Sequence, residues 1–241
     1  MRRALLASGV ALAVLAVLGP VAFVWYVATR PRPELPLVPT ASQPPAAAVP
    51  DHGPPDFGPW ADRISVVTGI PARAVLAYAH TEVRLAAELP ACGLNWATLA
   101  GIGSVESDHG RYGHRVLTED GRPDRPIVGV PLDGSPSVAA IPDTDGGALD
   151  GDPAWDRAVG PLQFIPATWE RWAADGDDDG VADPQDIDDA ALAAGRYLCA
   201  AGRLDTAAGW RAAVLSYNAS EAYLRSVLRA TNGYAERSRS G

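Results

Sequence analysis

Lysine is absent from all 241 residues, so every basic side chain besides histidine is an arginine. That absence removes the P-loop lysine, the Ser-x-x-Lys acyl-transfer motif and any Schiff-base lysine. Positive charge is also outnumbered: a formal net charge of -9 offers no basic face to neutralise phosphates, which argues against a nucleic-acid partner. Histidine is sparse. His109 and His114 beside Asp108 are the nearest approach to a zinc set, but there is no His-Glu-x-x-His and only His52 and His80 occur elsewhere. Gly101-x-Gly103 has Glu106 where a dinucleotide loop needs its third glycine, and no Gly-x-Ser-x-Gly elbow exists.

Long apolar runs are confined to one place. Arg2 and Arg3 precede a nearly unbroken apolar stretch over 4–29 that ends with Trp25-Tyr26 and is followed by Arg30, long enough to span a bilayer. The reading is a transmembrane signal anchor with residues 1–3 in the cytoplasm and the rest outside; a cleaved signal peptide is the competing reading. Residues 30–59 are rich in Pro and Ala and read as a semi-extended linker from the membrane. One folded domain is expected over 60–233, with a flexible tail over 234–241.

The domain reads as mainly α. A short helix from Trp60 to Val67 ends at Gly69, and Pro71 opens a second that reaches about Glu88 before Pro90. Val75, Leu76, Ala79, Val83 and Ala86 form its inward stripe. Asn95 is suited to cap a third helix from Trp96 to Glu106, with Leu99, Ile102 and Val105 at helical spacing. From Arg111 to Trp155 the pattern dissolves into Gly, Pro and Asp, a loop of the length usually reserved for function or disorder. Further helices are predicted from Pro166 to Ala174, Ile187 to Ala201, Thr206 to Tyr217 and Ser220 to Ala230, and nothing in this half alternates like a strand.

Glu106 is placed where an apolar helix delivers a lone carboxylate to the start of that loop. In such a setting desolvation raises the carboxyl pKa, so it can hold a proton near neutral pH and serve as a general acid. Asp175, Asp177, Asp179, Asp183 and Asp186 stand at positions one, three, five, nine and twelve of a loop with Gly180 at six. With the Val181 carbonyl, this is the oxygen-ligand spacing of an EF-hand calcium loop, so structural Ca2+ is expected, though Asp186 replaces the usual chelating Glu. Cys92 and Cys199 read as a disulfide in an exported protein, with two buried thiols as the alternative. Gln163 before Pro166, and Ser216-Tyr217-Asn218 at a helix end, offer amides and hydroxyls suited to a sugar polymer. Phe164, Ile165, Trp169 and Trp172 are read as core.

Taken in order, Glu106-Ser107 with Gly110, Gly160-x-x-Gln163-Phe164-Ile165-Pro166-x-Thr168-Trp169, the calcium-type loop and Tyr217-Asn218 resemble the lytic murein transglycosylases of the membrane-bound B type, a lysozyme-like group. The resemblance covers roughly Trp60 to Ala230, and the insert from Arg111 to Arg157 departs from it. It implies a lysozyme-like helical domain, Glu106 as single catalytic acid/base, Gln163, Tyr217 and Asn218 along the glycan groove, and a calcium-binding loop. The implied substrate is peptidoglycan, cut at the β-1,4 bond between N-acetylmuramic acid and N-acetylglucosamine with a 1,6-anhydromuramyl product; cell-wall remodelling proteins are possible partners. Two other readings stay open: a lysozyme-type muramidase using a second carboxylate from the 143–152 loop, and an inactive glycan-binding protein.

Overall fold

The structure, a computed structural model, describes residues 56–239 except residue 137. The expected cytoplasmic end at 1–3, the anchor at 4–29 and the linker up to residue 55 lie outside the described residues. No helix among the described residues is long and apolar enough to cross a membrane.

Helix boundaries follow the residues that can cap them. α1 (Gly58–Thr68) has Pro59 in its first turn and stops at Gly69, whose φ of 77° provides a left-handed cap. α2 (Ala72–Glu88) starts behind Pro71. α3 (Trp96–Ser107) is capped by Asn95, whose side chain accepts the Thr98 N–H at 3.0 Å. α4 (Pro166–Trp172) and α5 (Ile187–Ala200) flank the acidic loop. α6 (Ala207–Tyr217) is capped by Thr206, and α7 (Glu221–Arg239) ends the described chain.

α3 lies at the centre. It packs most extensively on α7 and also on α2, while α2 in turn covers α5 and α1. Being enclosed on several sides, α3 buries nearly all of Trp96 to Gly103 rather than one stripe. Only the turn holding Ser104, Val105 and Glu106 reaches solvent, so Val105 is exposed where the spacing placed it inside. The inward face of α2 is likewise rotated: Ala74, Val75, Tyr78, Ala79, Glu82 and Leu85 are buried, and Ala86 is exposed. The glycines of α3 allow this closeness. A Cβ on Gly101 would collide with Thr231 Oγ1, and one on Gly103 with the Tyr78 hydroxyl.

Two features differ from the sequence reading. The loop after α3 contains a small antiparallel sheet, β1 (Val128–Pro131) with β2 (Arg157–Val159), pairing Val128 with Val159 and Pro131 with Arg157 across an irregular register. Strands of four and three residues with a break in register are too short to show an alternating pattern. Second, the chain does not fray after Gly233: α7 continues to Arg239 and buries Tyr234, Ala235 and Ser238. Packing outweighs the local cost of one internal glycine.

The cysteines are joined. The Cys92–Cys199 disulfide ties the α2–α3 connection to the end of α5, with Cα atoms 5.3 Å apart. Leu204 N–H donates to the Cys92 carbonyl at 2.6 Å beside it.

Candidate active site

α3 ends one residue after Glu106. The Asp108 backbone takes up a left-handed conformation, φ 52°, as the cap. Ser107 fixes this turn, donating its hydroxyl to the Pro161 carbonyl at 2.5 Å and accepting the Gly110 N–H at 2.7 Å. Glu106 is thereby held against the segment that precedes α4. Its side chain remains partly exposed, so it is reachable from solvent.

The Tyr223 hydroxyl, from the first turns of α7, donates to Glu106 Oε1 at 2.5 Å. Desolvation dominates the carboxyl and pushes its pKa up to about 7, while the Tyr223 hydrogen bond pulls the other way. Burial and the neighbouring Glu106 charge raise both Tyr217 and Tyr223 well above the usual phenol range, so both hydroxyls stay protonated as donors. Burial raises the Glu106 carboxyl and Tyr223 opposes that rise, with no carboxylate among the described residues hydrogen-bonded to it. Tyr223 carried no signal in the sequence, because its role depends on α7 crossing α3.

Tyr217 is the other sequence-predicted residue brought to this place. Its hydroxyl donates to the Leu162 carbonyl at 2.7 Å, and its ring lies 6.0 Å from Phe164 and 5.5 Å from Tyr197. Gln163 sits two residues beyond Pro161 in a left-handed conformation, φ 52°. Its amide closes its own turn by donating to the Gly160 carbonyl at 3.0 Å, with Oε1 facing Gly129 of β1. Asn218 is exposed at the end of α6 and accepts the Ser220 N–H at 3.1 Å. Phe164 and Trp169 are buried, whereas Ile165 and Trp172 are only partly so.

The acids of the long loop are turned onto their own backbone. Asp143 accepts the N–H groups of Asp145, Gly146 and Gly147, and Asp145 those of Gly147 and Leu149. Asp150 accepts from Asp152 and Arg157, and Asp152 pairs with the Arg157 guanidinium at 2.9 Å. Asp108 is exposed and pairs with Arg111. The two histidines considered for zinc are apart in role: His114 is exposed, and His109 is fully buried between two tyrosines.

In the calcium-type loop, Asp175 accepts the N–H groups of Asp179 and Gly180 at 3.1 and 2.9 Å, which curls the loop around Gly180. Carboxylate oxygens of Asp175, Asp177 and Asp189 lie within 4.8 Å of one another. Asp186, expected at position twelve, is not in that group. It caps α5 by accepting the Asp188 N–H at 2.9 Å, while its other oxygen is buried and has no hydrogen-bond partner. Arg122 lies against Asp179, Asp183 and Asp186. Asp189 was overlooked because it falls inside the α5 pattern, beyond a twelve-residue template. Burial lifts the Asp189 carboxyl to about 6, with the Asp177 and Asp175 charges adding to it. Three hard oxygen donors clustered around a curled backbone fit a calcium ion.

A family model described as a transglycosylase SLT domain matches residues 147–214, a span that holds Gln163 and the acidic loop but not Glu106, Tyr217 or Tyr223. No curated protein matches the chain in sequence. Among solved structures, the Escherichia coli lytic transglycosylase Slt35 in complex with calcium is similar at 15% identity and a TM-score of 0.45, over 76% of this chain and 80% of that one. Slt35 in complex with bulgecin A gives 15% identity and 0.45 over 79% and 81%. Over residues 147–214, then, the chain is similar to transglycosylase SLT domains.

Proposed function

We propose that the chain is a peptidoglycan lytic transglycosylase that cleaves the β-1,4 bond between N-acetylmuramic acid and N-acetylglucosamine, with Glu106 as its single acid/base. The observation that carries this reading is the state of Glu106: a partly exposed carboxyl lifted to about 7 by burial and held by the Tyr223 hydroxyl. A group poised near neutrality can give and then take a proton in one turnover. Protonated Glu106 donates to the glycosidic oxygen as the C1–O bond breaks. The resulting carboxylate accepts the proton of the muramyl 6-hydroxyl as that oxygen bonds to C1, closing the 1,6-anhydro ring and restoring protonated Glu106.

The similarity to SLT domains supports the reading. So does the loop from Asp143 to Asp152, whose acids are engaged by their own backbone and by Arg157, whereas a two-carboxylate glycosidase needs a second acid free to face the scissile bond. Gln163, Tyr217 and Asn218 would line the glycan path. Ca2+ would be held by Asp175, Asp177 and Asp189, where it supplies structural charge neutralisation between α4 and α5. We extend the proposal to an exported enzyme, anchored through 4–29 and spaced from the membrane by the Pro/Ala stretch.

The test is mass spectrometry of purified peptidoglycan digested with the full chain, beside Glu106→Gln. Anhydromuramyl ends from the parent and none from the variant are expected. Reducing muramyl ends that depend on Glu106 would replace this reading with hydrolysis.

A further inference from the structure

Three residues beyond Glu106, the backbone makes an unusual turn. Asp108 and His109 are consecutive non-glycine residues with φ of 52° and 58°, a left-handed conformation that residues with a Cβ seldom adopt. The His109 N–H donates back to the Gly103 carbonyl at 2.9 Å, and the imidazole is driven into the interior, fully buried. There both ring nitrogens are engaged. Nδ1 lies 3.1 Å from the Tyr78 hydroxyl on α2, and Nε2 lies 2.9 Å from the Tyr234 hydroxyl on α7.

A group chosen only to fill space here would be apolar, since burying an imidazole between two phenols requires every polar atom to be satisfied. The groups around the ring are the Tyr78 and Tyr234 hydroxyls, with Asp108 and Arg111 nearby as charges. Desolvation dominates and pushes the imidazole down to about 3, so the ring is neutral over the working range, one nitrogen donating and the other accepting.

α7 connects this bridge to the acid. Tyr223 and Tyr234 are eleven residues apart on one continuous helix, close to three full turns, so they project from the same face. The first touches Glu106 and the second touches His109, both at the end of α3. Holding Tyr234 therefore fixes the rotation and axial position of the helix that presents Tyr223. The Tyr78 end pins the same imidazole to α2, where that hydroxyl also lies against Gly103.

We propose that His109 is a positioning residue which, by bridging Tyr78 and Tyr234, sets the register of α7 on α3 so that the Tyr223 hydroxyl meets Glu106. Its relevance to catalysis rests on the transglycosylase reading; its effect on Glu106 does not, because that effect can be read without substrate.

The experiment follows the Glu106 carboxyl by 13C NMR in the 13C-glutamate-labelled full chain, its signal assigned by loss in Glu106→Gln. Removing the Tyr223 donor with Tyr223→Phe raises the Glu106 midpoint, by about one pH unit for a hydrogen bond to a charged group. Tyr234→Phe, which deletes one oxygen and keeps the ring, is expected to raise it in the same direction. Adding Tyr223→Phe to Tyr234→Phe is then expected to change nothing further, because the contact is already lost. His109→Phe should repeat the Tyr234→Phe result, and in a peptidoglycan assay both should lower kcat about tenfold with KM held. A Tyr234→Phe protein with the parent midpoint, in which Tyr223→Phe still has its full effect, would overturn the proposal and leave His109 a core residue that affects melting temperature alone. If the parent titrates as expected but yields no anhydromuramyl ends, the transglycosylase reading fails and the positioning result stands.

Discussion

Glu106 shows how a single side chain acquires its chemistry from what surrounds it. Its raised pKa comes first from desolvation, and Tyr223 acts against that shift. In a peptidoglycan assay, Tyr223→Phe is therefore expected to move the alkaline limb of the kcat/KM profile upward, since protonated Glu106 is the competent acid and loses a partner that favours its charged form. A limb that stays in place would mean the contact does not form in solution. The sequence indicated the carboxyl because Leu99, Ile102 and the glycines mark an apolar helix that stops at a loop. Tyr223, Glu82 and the burial of His109 were not legible, because each depends on which helix lies opposite. Glu82 illustrates the point: it is 6% exposed on α2 and accepts the Trp96 N–H at 2.7 Å, a carboxylate placed at the start of α3 by a neighbouring helix.

Among elements, helix ends were readable and close packing was not. Asn95, Gly69, Pro71 and Thr206 announce their boundaries by local chemistry, as the structure bears out. Ala86 and Val105 fall outside their expected faces because the buried face of α2 is rotated from the spaced stripe and the last turn of α3 reaches solvent. The contact between α3 and α7 leaves no space at Gly101, where a Cβ would meet Thr231 Oγ1 and lie 3.1 Å from the Val227 carbonyl. Gly101→Ala is expected to destabilise the fold by about 1–3 kcal/mol, as overpacking does, read as a lower urea midpoint at unchanged slope. In the acidic loop, the twelve-residue template named Asp186, but the carboxylates that converge are Asp175, Asp177 and Asp189. Calcium is accordingly expected to raise the melting temperature of the parent and to lose most of that effect in Asp189→Asn. An equal response in parent and variant would remove Asp189 from the site.

At the scale of the molecule, several buried acids share one pH dependence. Burial lifts Glu82 and Glu106 to about 7. Between the unfolded carboxyl value near 4.5 and about 7, the native state binds more protons than the unfolded chain, so their contribution is complete below that window and lost as pH rises through it. His109 runs the other way: held down to about 3, it contributes above the unfolded imidazole value and loses that contribution as pH falls. Glu82→Gln keeps an acceptor for the Trp96 N–H and is expected to flatten the decline in unfolding free energy between about pH 5 and 7, measured by urea titration. Separately, the Cys92–Cys199 bond links residues 107 apart, so the double serine variant should lose about 4–5 kcal/mol on the chain-entropy account, read by the same titration.

The length of α7 bears on any shortened version of this protein. The stretch after Gly233 looks dispensable on paper, a short polar run with two arginines, Arg237 and Arg239. It nevertheless carries Tyr234, Ala235 and Ser238 into the interior. A protein trimmed at Gly233 for better behaviour would keep Glu106, Tyr217 and Tyr223 in its sequence while losing the hydroxyl that His109 holds. Its inactivity could then be mistaken for proof that the acid had been wrongly assigned.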